Sequence, residues 1–530
     1  MRTPSAVVMT LLLVLTSGAW AADAPRVGAA DTMVKIPRPG AGHADVKWGQ
    51  PLRVELARGE FESAQTVIAA PETKALRDVK VTVGALVNGK TAWPASGLSV
   101  WRAGYVEMFN LWAPHNNQGW QPDPLLPCDG PFDIEAGMVQ PVWLRLHGLE
   151  GMTAGVYRGE AVVSAEGVPG MYVPIEVTLW DFTLPAEQHF TYSVPTWGGQ
   201  WEAMYPKSVT PERWRAYLDL LLDYRVSSFP MTDDEMTHAF QRGQREFCLM
   251  CFPVDYVPAD SRKKVADLAA DWAKLPWSSK ATPYVLLGDE APPQYYHVNQ
   301  EEGRLMHEVA PIIQRRFTLS PENTTEGIEA YLKAMKGCGD TLILGAATCY
   351  ATHEMSAKTR AAGFGLWWYY VASHYYIPGT GVDARSTFWR HWKYQVPGQL
   401  HWGASYWGDA NIAGLGGKHW PDIPWDTKTS RGGDGYLVYP APGGTGVWPS
   451  IRLENIRDGI EDYEYFVLLD TLTKKLGDGE QAKANRRLLA MDDGIVKAYK
   501  VYDQRPAAYR DYRRRLAEAI VATERMTGGR

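Results

Sequence analysis

Pro283-Tyr-Val-Leu-Leu-Gly-Asp-Glu-Ala-Pro-Pro293 reads as an apolar strand that stops at Gly288 and runs straight into two carboxylates, Asp289 and Glu290. A short apolar run bounded by turn residues is the pattern of a strand covered on both faces. Working outward from it, similar runs recur at 190–194, 226–229, 246–254, 282–287, 316–319, 341–346, 363–370 and 399–406. Amphipathic segments separate most of them. Residues 211–224 place Trp214, Leu218, Leu221 and Leu222 at helical spacing, and 262–274 do the same with Val265, Leu268 and Trp272. Further helices are expected at 301–315, 327–335, 353–362 and 386–394. Eight strands with intervening helices over about 220 residues are what a (β/α)8 barrel requires. A doubly wound open sheet has a similar rhythm, but no GxGxxG follows a first strand to support a dinucleotide site. The barrel is therefore placed at 189–450.

On either side of it the pattern changes. From 30 to 185 short alternating stretches dominate, such as Val79-Lys-Val-Thr-Val83 and Val142-Trp-Leu-Arg-Leu146, separated by Gly, Pro and Asn. That spacing predicts an N-terminal β-sandwich. From 451 to 526 apolar residues return every three or four positions (Leu453, Ile456, Ile460, Tyr463, Phe466, Leu469), which predicts C-terminal helices packed on the barrel. The first 21 residues have a positive start, an apolar run and Ala19-Trp-Ala21, the form of a cleaved secretory signal. The expected location is secreted or periplasmic. No later segment offers 18 uninterrupted apolar residues, so no transmembrane segment is expected.

The chain has 530 residues, 45% of them hydrophobic and 22% charged, with a net charge of -6. That composition suits large packed cores, and a nucleic-acid partner has no basic footprint to use. Five cysteines, Cys128, Cys248, Cys251, Cys338 and Cys349, are too few for a disulfide scaffold. Cys248 and Cys251 have CxxC spacing within a strand, where positions i and i+3 point to opposite faces. They read as packing thiols. No GxSxG, HExxH or GxxxxGKS motif occurs.

Three features carry possible chemistry. In a barrel the active site lies at the C-terminal strand ends, where Asp289 and Glu290 fall. The second feature is aromatic: nine of the 22 Trp lie between 363 and 448. Sugar rings present C–H faces that stack on such rings. Strand-end Trp368, Tyr370, Trp402, Tyr406 and Trp407 are the candidates for binding substrate, while Trp389 and Trp392, at helical spacing, read as core. The third is Gly433-Asp434-Gly435-Tyr436, followed by Ser450, a helix cap, and Arg452. Asp434, Tyr436 and Arg452 join the binding candidates. The dense charges from Arg457 to Glu464 read as a solvated helix face with i,i+4 pairs.

Taken together, the chain resembles glycoside hydrolase family 123 over nearly its whole length. The likeness rests on Leu56-Ala-Arg58-Gly-Glu60-Phe-Glu-Ser-Ala-Gln65, Tyr157-Arg-Gly159, Trp180-Asp-Phe-Thr-Leu-Pro185, Asp289-Glu290, Gly435-Tyr436-Leu-Val-Tyr439-Pro440 and Arg452 with Arg457-Asp-Gly-Ile-Glu-Asp-Tyr-Glu-Tyr465. The last block is the most specific. The resemblance implies a retaining exo-β-N-acetylgalactosaminidase with a β-sandwich ahead of a (β/α)8 barrel. It implies Glu290 as general acid and base. Asp289 would hold the 2-acetamido group that attacks the anomeric carbon, giving an oxazolinium intermediate. No metal and no organic cofactor is implied, and the partner is a glycan or glycoconjugate. A glycosidase for another sugar, or a non-catalytic carbohydrate-binding protein, would suit the same residues.

Overall fold

The computed structural model describes residues 24–38, 45–108, 119–196, 198–252, 261–319, 324–345, 351–369, 375–407, 422–424, 432–433 and 435–528. The leader at 1–21 lies outside them.

Two seven-stranded sheets come first. One is built on Arg26–Ala30, Phe61–Ala69, Val139–His147 and Leu98–Met108, with Gly119–Pro127 paired to the last. The other runs Phe132–Ile134, Leu76–Val83, Gly155–Ala165, Val168–Thr183 and Leu52–Arg58. One apolar cluster draws on both: Ile68, Val142 and Leu144 from the first, Val79, Val163 and Val177 from the second. The alternating residues of the sequence thus meet across a shared core.

Eight parallel strands follow, numbered here along the chain: β1 Thr191–Pro195, β2 Val226–Phe229, β3 Glu246–Cys251, β4 Thr282–Leu287, β5 Gln314–Leu319, β6 Thr341–Gly345, β7 Gly365–Tyr369 and β8 Gly398–Leu400. Their hydrogen-bonded order is β2-β1-β8-β7-β6-β5-β4-β3, so among the described residues only the β2–β3 seam lacks ladder bonds and the barrel is nearly closed. Side chains alternate as a barrel demands. Phe229, Cys248, Tyr284, Leu286, Ile343, Trp367, Tyr369 and Leu400 form the inner cluster. Val285, Leu287, Leu342, Leu344 and Trp368 point outward, into the core shared with the helices.

The helices after the strands include Pro211–Asp223, Asp233–Gln241, Ser261–Lys274, Tyr296–Val309, Thr325–Ala334, His353–Ala361 and Gly381–Tyr394. The helix after β4 begins five residues before the expected 301 and ends at Val309, because β5 already starts at Gln314. Asp233–Gln241 was not expected at all. Six helices share one start signal. Thr210, Thr232, Thr324, Thr352, Thr380 and Ser450 each accept a hydrogen bond from the backbone N–H three residues on. Such a cap is worth about 1 kcal/mol.

Ile451–Thr473 follows β8 and serves both neighbours. Its Leu453, Ile456, Ile460 and Tyr463 enter the barrel–helix core. Its Phe466, Leu469 and Leu472 pack with Tyr512, Leu516 and Ile520 of the helix Pro506–Thr527. The tail is not wholly helical, since Val496–Ala498 and Val501–Tyr502 form a small antiparallel pair. No described helix is long and apolar enough to cross a membrane.

The charged block on this helix is not a solvated face. Every residue from Ile451 to Phe466 is buried. Its carboxylates meet arginines from distant segments. Arg385 binds Asp462 at 2.7 Å, Glu62 at 3.0 Å and Asp458 at 3.2 Å. Arg513 bridges Asp462, at 2.8 Å, and Glu60. Arg457 binds Glu454 at 2.8 Å and Asp458 at 2.7 Å, and Arg145 also pairs with Glu454. Glu60 and Glu62 belong to the Arg58–Gln65 stretch, so two segments about 400 residues apart in sequence close on one another. Burial alone would raise Glu454, but the Arg145 and Arg457 guanidiniums hold it down at about 2. Glu461 goes the other way: burial pushes it up to about 8 against Arg225 and Arg457.

The CxxC expectation also changes. In the β3–β4 register Cys248 faces Tyr284, Met250 faces Val285 and Cys251 faces Leu286, so Leu249 is an extra residue, a bulge. The bulge resets the phase and returns Cys251 to the face of Cys248.

Candidate active site

The β4 strand delivers its carboxylates through a tight turn. The Ala291 N–H donates to the Gly288 carbonyl at 3.2 Å. Gly288 has φ +55° and Glu290 φ +49°, both in the left-handed region. At Gly288 a Cβ would stand 2.4 Å from both amide atoms of Asn299, so only glycine fits. For Glu290 that conformation costs on the order of 1–3 kcal/mol and must be held by its surroundings.

Two side chains hold it. Thr318, at the inward C-terminal end of β5 and 2% exposed, donates from Oγ1 to Asp289 Oδ1 at 2.9 Å. Thr318 Oγ1 also accepts the Glu290 N–H at 3.1 Å. Tyr369, the last residue of β7, donates its hydroxyl to Glu290 Oε1 at 2.5 Å. Both carboxylates are otherwise exposed. One hydroxyl therefore ties the two acids together, and a phenol from across the barrel end fixes the rotamer of the second. Below them Arg316 fills the barrel interior, with its guanidinium 3.9 Å from the Tyr284 ring and 4.2 Å from that of Trp367, and pairs with Glu246 at 2.7 Å.

Sequence reasoning did not single out Thr318, Tyr369 or Asn299. For the first two a signal existed: Arg316 and Thr318 share one face of β5, and polar residues on the inward face at a strand's end are candidates by position.

The aromatic candidates separate. Trp368 is fully buried and faces outward, with its ring 4.7 Å from His391 and 5.3 Å from Tyr499. It is barrel–helix core. Period two puts its neighbours Trp367 and Tyr369 on the inner face instead. Trp407 is also core, donating from Nε1 to the Val438 carbonyl at 2.9 Å and lying edge-on to Trp201. Tyr436 is 2% exposed and packs on Tyr439. Arg452 does not reach out of a barrel mouth. It is buried against Asp123 at 2.9 Å and donates to the carbonyls of Tyr375 and Gly433 at 2.9 and 2.7 Å. It fastens loops after β7 and β8 to the strand Gly119–Pro127.

Trp402 and Tyr406, after β8, remain half-exposed, with ring centroids 5.2 Å apart. Gly435, at φ +88°, lets the Trp402 indole lie on its backbone, where a Cβ would stand 2.2 Å from the ring. Tyr370 and Asp434 lie outside the described residues. Among the described residues no group of three or more His, Cys, Asp or Glu is placed to hold a metal.

Residues 293–469 match the sequence model of the glycoside hydrolase 123 catalytic domain. The chain resembles glycoside hydrolase family 123. The matched stretch begins just after the Asp289-Glu290 turn and includes Tyr369, Arg452 and the buried charge block. At the level of fold, a family 123 glycoside hydrolase from Clostridium perfringens, solved in work on glycolipid glycan hydrolysis, is similar with a TM-score of 0.64 at 13% identity, over 96% of this chain and 99% of that one. A family 2 β-galacturonidase from Eisenbergiella tayi has a TM-score of only 0.31 at 9% identity, over 82% of this chain and 71% of that one. No curated protein sequence matches. The family 123 match supports a glycoside hydrolase, and with it a glycan substrate.

Proposed function

We propose that this family 123-like chain is an exported, retaining exo-glycosidase that removes terminal β-linked N-acetylgalactosamine by substrate-assisted catalysis. Its β-sandwich would precede the catalytic barrel, as the family resemblance implies. The observation that carries the reading is the Gly288–Ala291 turn, where two exposed adjacent carboxylates stand at one strand end, the Thr318 hydroxyl binding the Asp289 carboxylate and the Glu290 backbone N–H. Two acids on one strand end do not flank a glycosidic bond as a nucleophile and an acid would. They suit a reaction in which the substrate supplies its own nucleophile.

In this mechanism Asp289 accepts the acetamide N–H and orients the carbonyl oxygen beneath the anomeric carbon. Glu290 donates its proton to the glycosidic oxygen as the bond breaks, and the carbonyl oxygen closes an oxazolinium ring. Glu290, now a carboxylate held by Tyr369, takes a proton from water, which opens the ring from the face the leaving group vacated. Two inversions give net retention. Trp402 and Tyr406 offer ring faces for the sugar.

The test is release of 4-nitrophenol from a panel of aryl glycosides. Turnover of the β-N-acetylgalactosaminide, and inhibition by the corresponding sugar thiazoline, support the reading, because a stable mimic of the oxazolinium should bind far tighter than substrate. Turnover confined to sugars without an acetamide would contradict it. Cell fractionation tests export: a mature chain starting near residue 22, outside the cytoplasm, is expected.

A further inference from the structure

The geometry points to a redox-active dithiol at the β3 end of the barrel: Cys248 and Cys251 exchange with a small-molecule disulfide, such as oxidised glutathione, and close an intramolecular disulfide. This site is independent of the glycosidase reading. Its basis is the bulge. Tyr284 and Leu286 of β4 both point into the barrel, and they are the register partners of Cys248 and Cys251. Between the two cysteines, Leu249 and Met250 both pack outward against the helix-facing core. Two successive outward residues can occur only where a strand carries an extra residue, and they leave Cys248 and Cys251 successive on the inner face. The register therefore sets both sulfurs on one face of the strand, as neighbours in its inward series. Without the bulge the same four residues would point the sulfurs apart.

The two positions are unequal in a way that exchange chemistry needs. Cys251 is exposed at the strand's end, whereas Cys248 lies beneath it, 7% exposed and not bonded to any other cysteine. Burial holds the Cys248 thiol well above the ordinary thiol range. Cys251 is thus the sulfur that a solution reagent can meet, and Cys248 is the resolving one.

The step balances as follows. The Cys251 thiolate attacks one sulfur of the reagent disulfide, forming a mixed disulfide and releasing one glutathione thiolate. Cys248 loses its proton and attacks Cys251 Sγ, releasing the second glutathione thiolate. Two protein thiols are oxidised, the reagent is reduced to two thiols, and the two protons go to the leaving thiolates.

The experiment uses the folded full chain and oxidised glutathione. After incubation the protein is acid-quenched, alkylated with iodoacetamide under denaturing conditions and cleaved with trypsin. Cleavage after Arg245 and Arg262 puts both cysteines, and no other, in one peptide. The expected peptide carries no alkyl group and is lighter by the mass of two hydrogens, while Cys128 and Cys338 are alkylated. Cys248→Ser should instead keep one glutathionyl group on Cys251. The proposal is overturned if the wild-type peptide carries two alkyl groups, if either cysteine is cross-linked to another peptide, or if Cys248→Ser retains no glutathionyl group.

Discussion

Two clusters of acidic residues in this molecule face opposite fates. Asp289 and Glu290 stand exposed on a left-handed turn, with Thr318 and Tyr369 as partners. Glu60, Glu62, Glu454, Asp458, Glu461 and Asp462 are at most 1% exposed and enmeshed with arginines from five segments. The difference separates chemistry from architecture. A carboxylate that must meet substrate and exchange protons has to be reachable. A buried carboxylate is tolerable when a guanidinium neutralises it or when it keeps its proton, and a paired one specifies which segments come together.

Substitutions should divide the clusters. Removing Arg385 leaves Glu62, Asp458 and Asp462 short of a counter-charge, so Arg385→Leu should cost on the order of 3–5 kcal/mol. Denaturant unfolding checks this, and an unchanged midpoint would show that the network contributes little.

The next effect is pH. Glu454, held at about 2 against an ordinary 4.5, binds its proton more weakly folded than unfolded. Its contribution is complete above about pH 4.5 and fades as pH falls towards 2, on the order of 3 kcal/mol in all. Glu461, raised to about 8, has the opposite sign: its contribution declines as pH rises from about 4.5 towards 8. Unfolding measured from pH 7 down to pH 3 should show Glu454→Gln less stable at neutrality but with a shallower acid limb. A parallel limb would contradict the assignment.

The smallest effect belongs to the exposed cluster. Tyr369→Phe deletes one hydrogen bond to Glu290, which should lower kcat roughly tenfold and leave KM and the unfolding midpoint nearly unchanged. A stability loss with kcat intact would make Tyr369 a packing residue.

The barrel was legible because its strands are continuous apolar runs: β2 and β4 fall at the expected 226–229 and 282–287. What a single sequence hid was phase and partnership. The sequence favours Trp368 where Trp367 and Tyr369 hold the inner face, a one-residue slip that reverses a side chain. Cys248 and Cys251 were assigned opposite faces because nothing local announces a bulge at Leu249. The Arg457–Glu464 block reads as solvated because its partners, Arg225, Arg385 and Arg513, lie far away in sequence. Asp289 and Glu290 were visible because strand, glycine and paired acids are contiguous. Thr318 and Tyr369, which hold them, come from other strands.

The most direct test of the central claim is to measure Glu290→Gln and Asp289→Asn on an aryl β-N-acetylgalactosaminide, with thermal unfolding of the same preparations. The account predicts that each rate falls by about a thousandfold or more, some 4 kcal/mol of transition-state stabilisation, while each unfolding midpoint stays within about 2 °C of wild type. Full activity in either variant, or a large stability loss in both, would contradict it.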